Sequence, residues 1–278
     1  MNLFEAVIFG VIEGITEFLP ISSTGHLTIV EKLLGYQVND PGVTAFTAVI
    51  QVGAVLATLL YFRKDIWNIG VAWCKGVVKP ELRSDPNYRF GWAVILGSLP
   101  IAVVGLLFKE TITGTLRSLW VVAISLIVWS GVMWLADRTA TLARSQKDAT
   151  WRDTLIIGLM QCIALIPGIS RSGATMSAGL LRGFDRVTAT KLAFFLAIPA
   201  LLAAGLQQAI SEYQAIDAVI GWPATITATI VSFIVAYTAV AWLLRYIGQH
   251  SYQIFIVYRL VLAAVLIVLL TTGTIEAV

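Results

Sequence analysis

Residues Glu13–His26 read EGITEFLPISSTGH. This stretch holds two carboxylates, two serines, two threonines and a histidine, in a chain that is 58% hydrophobic and only 13% charged. A soluble domain carries about 25% charged residues. Pro20 interrupts the stretch, because an interior proline clashes with the preceding turn and removes a backbone donor. The segment over residues 1–35 is therefore apolar at its ends and broken in the middle. Irregular backbone at membrane depth is tolerated only inside protein or beside water. Those conditions decide the fold: an all-α polytopic membrane protein in which this break is buried.

A second segment behaves in the same way. Residues 154–181 are broken at LIPGISRSG, Leu165–Gly173. A shift of 148 residues superposes Gly10 on Gly158, Glu13 on Gln161, Ser22 on Ser170 and Gly25 on Gly173, while Pro20 and Pro167 miss register by one. Interrupted apolar segments at matching places in two halves mark the site of repeat-built membrane proteins. The halves run over residues 1–137 and 154–271, within one integral membrane domain spanning 1–278.

Six further segments are long and apolar enough to cross a bilayer: roughly 43–62, 90–108, 118–136, 192–209, 219–244 and 252–271. Basic residues orient them. Arg63, Lys64, Lys75, Lys79, Arg83 and Arg89 lie in one connection, and Arg138, Arg144, Lys147 and Arg152 in another, two crossings later. Both are expected on the cytoplasmic side. The connection between those crossings carries only Lys109 and Arg117. Residues 182–191 add Arg182, Arg186 and Lys191, so segment 154–181 enters and leaves by the cytoplasmic face. Residues 210–218 hold Glu212 and Asp217 and no cation, which suits the outside. Segment 1–35 then mirrors the second hairpin from the outside. The expectation is about six transmembrane helices plus two re-entrant helical hairpins in an inverted-topology repeat.

The net charge of +3 follows from these loops and calls for no nucleic acid. Cys74 and Cys162 have apolar settings and form no C-x-x-C pair, so neither a disulfide framework nor a metal cluster is expected. No cleavable signal peptide is expected either: no basic region precedes the first apolar run, which carries Glu5.

The polar residues carry the chemistry. Glu13 and Glu17 stand four apart on one helical face. Two carboxylates so placed in an apolar segment need a cation, a proton or a metal. Ser22, Ser23 and Thr24 begin the next half-helix, where hydroxyls cap free backbone donors. His26 is within reach of Ser23 on the same face and brings the ingredients of proton transfer. In the second break Ser170, Ser172 and Thr175 offer hydroxyls, and Arg171 offers a permanent cation with a planar fork of donors. Free N–H groups, helix dipole and guanidinium together suit phosphate. Arg171 also serves to neutralise Glu13 or Glu17. Acids opposite a phosphate cradle point to a bridging divalent cation, Mg2+ or Ca2+, held by Glu13 and Glu17. The chemistry expected is that of a phosphate ester or diphosphate anchored in the membrane by lipid.

At these residues the sequence resembles the bacterial undecaprenyl-diphosphate phosphatases linked to bacitracin resistance. EGITEFLPISSTGH fits that family's E-x-x-x-E motif with the S-S-x-G-H that follows, and PGISRSGAT fits its P-G-x-S-R-S-x-x-T motif. The resemblance covers essentially the whole chain. It implies hydrolysis of undecaprenyl diphosphate to undecaprenyl phosphate and inorganic phosphate, which recycles the lipid carrier of peptidoglycan synthesis. It implies a divalent cation, a multi-pass location in the bacterial plasma membrane, a site opening to the periplasmic side, and a homodimer. By position it gives metal binding or activation to Glu13 and Glu17, nucleophile or substrate ligand to Ser23, and proton donor or alternative base to His26. Arg171, with Ser22, Ser170, Ser172 and Thr175, holds the diphosphate.

The alternative is an inverted-repeat secondary transporter or lipid flippase, which uses the same broken helices and intramembrane acids. The type-2 phosphatidic acid phosphatases, with S-R-x-x-x-x-x-H, are excluded because position 177 is serine. Trp67, Trp73, Trp92, Trp120 and Trp222 are expected at membrane interfaces. Residues 66–84 are expected as a cytoplasmic surface segment, and His250 as a solvated loop residue. Arg259 interrupts the last apolar run and either pairs internally or snorkels.

Overall fold

A computed structural model describes residues 1–108 and 118–277. Lys109 and Arg117 lie outside the described residues. The first helices are α1 (Leu3–Thr16), α2 (Ser23–Leu33), α3 (Pro41–Tyr61), α4 (Arg63–Val78), α5 (Pro86–Leu107) and α6 (Leu119–Thr139). They are followed by α7 (Trp151–Ile163), α8 (Arg171–Leu181), α9 (Arg186–Ser211), α10 (Tyr213–Val219), α11 (Trp222–Ile247) and α12 (Gln253–Thr271). No strand occurs among the described residues, beyond one isolated bridge between Arg144 and Phe184. Six helices, α3, α5, α6, α9, α11 and α12, are long and apolar enough to cross a membrane. They match the six expected crossings.

Local chemistry sets the helix ends. Asp40 accepts from the N–H groups of Gly42 and Val43 with Pro41 at the first helical position, and Asp85 accepts from Asn87 with Pro86 there. Proline suits that position because its fixed φ is already helical and its missing donor has no partner to lose. Asp185 caps Thr188, so α9 begins at Arg186. The expected 182–191 loop is thus only four residues, 182–185, and Arg186 and Lys191 are helical. The 210–218 connection holds the short α10, and much of 66–84 is the helix α4, packed on α5.

The two broken segments are helical hairpins of nearly identical build. Shifting α2 by 148 residues gives the bounds of α8 at both ends, and the same shift places the start of α1 on the start of α7. Ser22 and Ser170 take the same left-handed backbone, with φ of 75° and 74°, and accept from the N–H groups of Gly25 and Gly173. At the open end of the first hairpin Tyr36 donates to Glu5 Oε2 at 2.7 Å, which ties the end of α2 to the start of α1. At the open end of the second, Arg182 Nε donates to Asp153 Oδ1 at 2.8 Å.

These open ends lie at opposite ends of α9. The Met1 ammonium donates to the carbonyl of Ile220, at the end of the short α10 that follows α9. Arg144, paired with Asp153 at 2.6 Å, exchanges backbone bonds with Gly183 and Asp185, just before its start. α1 lies along α11 and α7 along α5. A Cβ on Gly10 would meet Ala228 O of α11, and one on Gly158 would fall on Gly97 O of α5. The two glycines that superpose in sequence thus do the same work: each lets one helix cross another in backbone contact.

The closed ends of both hairpins are buried. Phe18 packs edge-on to Phe194 of α9 at 4.8 Å, and Ile169 joins the same apolar cluster. Broken backbone at this depth is sheltered by protein, as its polar groups require.

Candidate active site

Glu17 is the point where the two breaks meet. It caps the C-terminus of α1, and its residue is 3% exposed. The guanidinium of Arg171 pairs with its Oε1. Ser23 Oγ donates to its Oε2 at 2.6 Å, and Ser172 Oγ donates to its backbone carbonyl at 3.0 Å. Ser23 and Arg171 are the first helical residues of α2 and α8. Each follows a capping serine in the left-handed region, so each side chain leaves its helix start in the same direction relative to its own hairpin. Four of the predicted site residues, Glu17, Ser23, Arg171 and Ser172, are brought together here.

The remaining hydroxyls are spent locally. Ser22 and Ser170 cap their helices, at 3.3 Å to Gly25 N and 3.2 Å to Gly173 N. Thr175 is fully buried and donates back to the carbonyl of Arg171 at 2.8 Å. Their contribution in this state is to hold the helix starts, where free N–H groups and the dipole favour an anion.

Glu13 lies one turn from Glu17, with 0% exposure, and neither of its oxygens has a hydrogen-bond partner among the described residues. Gln161, which superposes on Glu13, is equally buried, and its amide oxygen and nitrogen are also unpartnered. The alignment of these two positions was visible in the sequence, but it assigned Gln161 no part. Buried polar atoms of this kind call for a ligand, a cation or water.

The donor set also bears on a divalent cation. Among the described residues no group of three or more His, Cys, Asp or Glu side chains is placed to hold a metal ion. Glu13 has both oxygens free, whereas Glu17 has both engaged. One or two carboxylates completed by phosphate oxygens and water is the arrangement that suits Mg2+. The residues therefore fit a cation shared with a substrate rather than one held by protein alone.

Among the described residues His26 makes no hydrogen bond to Glu17, Ser23 or Arg171. Its Nδ1 meets the Ser22 carbonyl at 2.7 Å, and its Nε2 meets the Tyr258 hydroxyl at 2.6 Å. A carbonyl only accepts, so Nδ1 carries the proton and a neutral ring leaves Nε2 to accept from Tyr258. The two rings stack at 5.6 Å with an interplanar angle of 5°. They border a cavity of about 350 Å³ with Ile12, Ile15, Leu19 and Phe255. Sequence reasoning missed Tyr258, which nothing in its apolar surroundings singles out.

Arg259 pairs internally and does not snorkel. It is completely buried. Its Nη1 donates to the Pro20 carbonyl at 3.3 Å and its Nη2 to the Gly168 carbonyl at 3.0 Å, while Nε donates to Ser130 Oγ at 3.2 Å.

Comparison with known proteins shows the family. A family model described as bacitracin resistance protein BacA matches residues 6–265. The undecaprenyl-diphosphatase 3 of Frankia casuarinae is 61% identical over 277 residues, covering 100% of both chains. The undecaprenyl-diphosphatase of Cutibacterium acnes is 55% identical over 284 residues, again covering 100% of both. A relative of that name from a Mycobacterium species is 43% identical with the same coverage.

Proposed function

This chain belongs to the bacitracin resistance protein BacA family, and we propose that it hydrolyses undecaprenyl diphosphate. Water and the diphosphate give undecaprenyl phosphate and inorganic phosphate, which returns the lipid carrier to peptidoglycan synthesis. The relatives carry the name of this activity along their whole length. Transport without hydrolysis is not favoured.

The observation that carries the assignment of residues is the shared carboxylate of Glu17, held by Arg171 on one oxygen and Ser23 on the other. Arg171 has five donors, and its pairing with Glu17 leaves most of them for phosphate oxygens. The starts of α2 and α8 add free N–H groups on either side. Ser23 sits in hydrogen-bond contact with a carboxylate that a second group orients, the arrangement of an activated nucleophile. In one route Ser23 Oγ bonds to the terminal phosphorus, the bridging P–O bond breaks, and Glu17 takes the serine proton. Water then releases phosphate from the serine. In the other, Glu17 takes the proton of an attacking water and Ser23 orients the phosphate. Glu13 and Glu17 would hold a divalent cation, Mg2+ or Ca2+, which neutralises charge on the diphosphate when bound.

The hairpins are re-entrant, in an inverted-topology repeat, and the protein is a multi-pass protein of the bacterial plasma membrane. Their open ends at opposite ends of α9 support this arrangement, as does the charge of the loops. With residues 138–152 cytoplasmic, the first hairpin opens outward and the site takes its substrate from the periplasmic side. The test is phosphate release from undecaprenyl diphosphate by purified protein with Mg2+. Release that persists in chelator removes the cation, and no release with intact protein removes the assignment.

A further inference from the structure

Arg259 joins two carbonyls that are themselves a matched pair. Pro20 and Gly168 superpose under the 148-residue shift, since 20 plus 148 is 168, and each lies two residues before a capping serine. Arg259 reaches both from α12, through Nη1 and Nη2. Nε on Ser130 and a longer contact from Nη2 to Leu126 O at 3.5 Å anchor the fork to α6. Among the described residues no carboxylate pairs with it. Burying a charge without a counter-ion is costly, and an apolar side chain would fill this place in an apolar helix without that cost. Both carbonyls belong to broken backbone, where helix bonds are missing, and Gly168 is held at φ 95°.

We propose that Arg259 is a positioning residue: its guanidinium fastens the two breaks to each other and so sets the distance between Glu17 and Arg171. Only a planar fork with several donors spans two carbonyls on separate segments while remaining tied to a third. A lysine ammonium is a single point on a flexible stem and reaches one. The role rests on the proposed hydrolysis for its kinetic readout, but the distance it sets is measurable without any substrate.

The experiment uses the full chain in nanodiscs, with Cys74 and Cys162 replaced by serine and spin labels at Thr24→Cys and Leu165→Cys, one beside each break. These label positions are outside the site. Arg259 as found should give one narrow distance. Arg259→Gln and Arg259→Lys should both give a broadened, shifted distribution, with kcat lower by about 100-fold and KM within about threefold, as expected for a misplaced catalytic geometry. Ser130→Ala leaves the fork on both carbonyls and should keep the narrow distance. A narrow distance and normal kcat in Arg259→Lys overturn the proposal, since charge alone then suffices. So does a rise in KM at unchanged distance, which makes Arg259 a direct substrate ligand. If Arg259→Gln does not fold, Arg259→Lys carries both readouts. If the unsubstituted protein releases no phosphate, the hydrolase assignment fails while the distance measurement still decides the clamp.

Discussion

Ser23 and Arg171 hold the same place in their two helices, 148 positions apart, and grip opposite oxygens of the Glu17 carboxylate. The two hairpins supply the same capped helix start twice. Different residues at that one position then turn it into a hydroxyl on one side and a cation on the other. Glu17→Gln keeps the shape and removes the charge that both groups use. Phosphate release should fall by about two to three decades or more, by analogy with loss of a positioned transition-state donor. Near-normal release by folded Glu17→Gln protein would take Glu17 out of the chemistry.

Ser23→Ala separates the two routes. A serine nucleophile predicts complete loss, and a phosphoserine at Ser23 that mass spectrometry detects in acid-quenched reactions of the unsubstituted protein. Attack by water predicts a residual rate and no such adduct. The assay must resolve about one part in a thousand to tell these apart.

Glu13 makes an opposite pair of predictions for stability and activity. Both of its oxygens are buried without a partner, which costs folding energy when the carboxylate is charged. Glu13→Gln should therefore raise the melting temperature of metal-free protein while cutting Mg2+-dependent phosphate release. A melting temperature that rises with added Mg2+ in the original protein and not in Glu13→Gln would place the cation at this residue. Equal responses in both would place it elsewhere.

Gly158 is a steric prediction. A Cβ there falls on the carbonyl of Gly97, so Gly158→Ala must push α7 away from α5. Overpacking costs about 1–3 kcal/mol, and the melting temperature should drop accordingly. Gly131, which has open space around it, is the control: Gly131→Ala should leave the melting temperature unchanged or higher. Equal behaviour of the two variants would deny the close crossing.

The six crossings and both breaks were legible in the sequence because apolar length and interior proline are local signals. Glu17, Ser23, Arg171 and Ser172 were legible because their types and spacing carry the chemistry. Four features were not. The 148-residue shift was seen, but the match of Ser23 to Arg171 was hidden, since the two share a position and no chemistry. Arg259 drew notice as a charge in an apolar run, but its partners are backbone carbonyls, which leave no trace in residue identity. His26 was grouped with Ser23 by spacing, whereas the stacking and hydrogen bond with Tyr258, 232 positions away, take its ring elsewhere. The short connection before Arg186 is set by the Asp185 cap, which starts α9 among residues whose charge alone reads as a loop.

The bonds from Arg259 to both breaks also bear on biogenesis. A nascent chain halted between α8 and α12 already carries every residue of both motifs but lacks the arginine that reaches the carbonyls of Pro20 and Gly168. If Arg259 positions the breaks as proposed, the acid and the guanidinium reach their final register only when the last helix has been inserted. C-terminal truncation that removes α12 should then be as damaging as the loss of either motif.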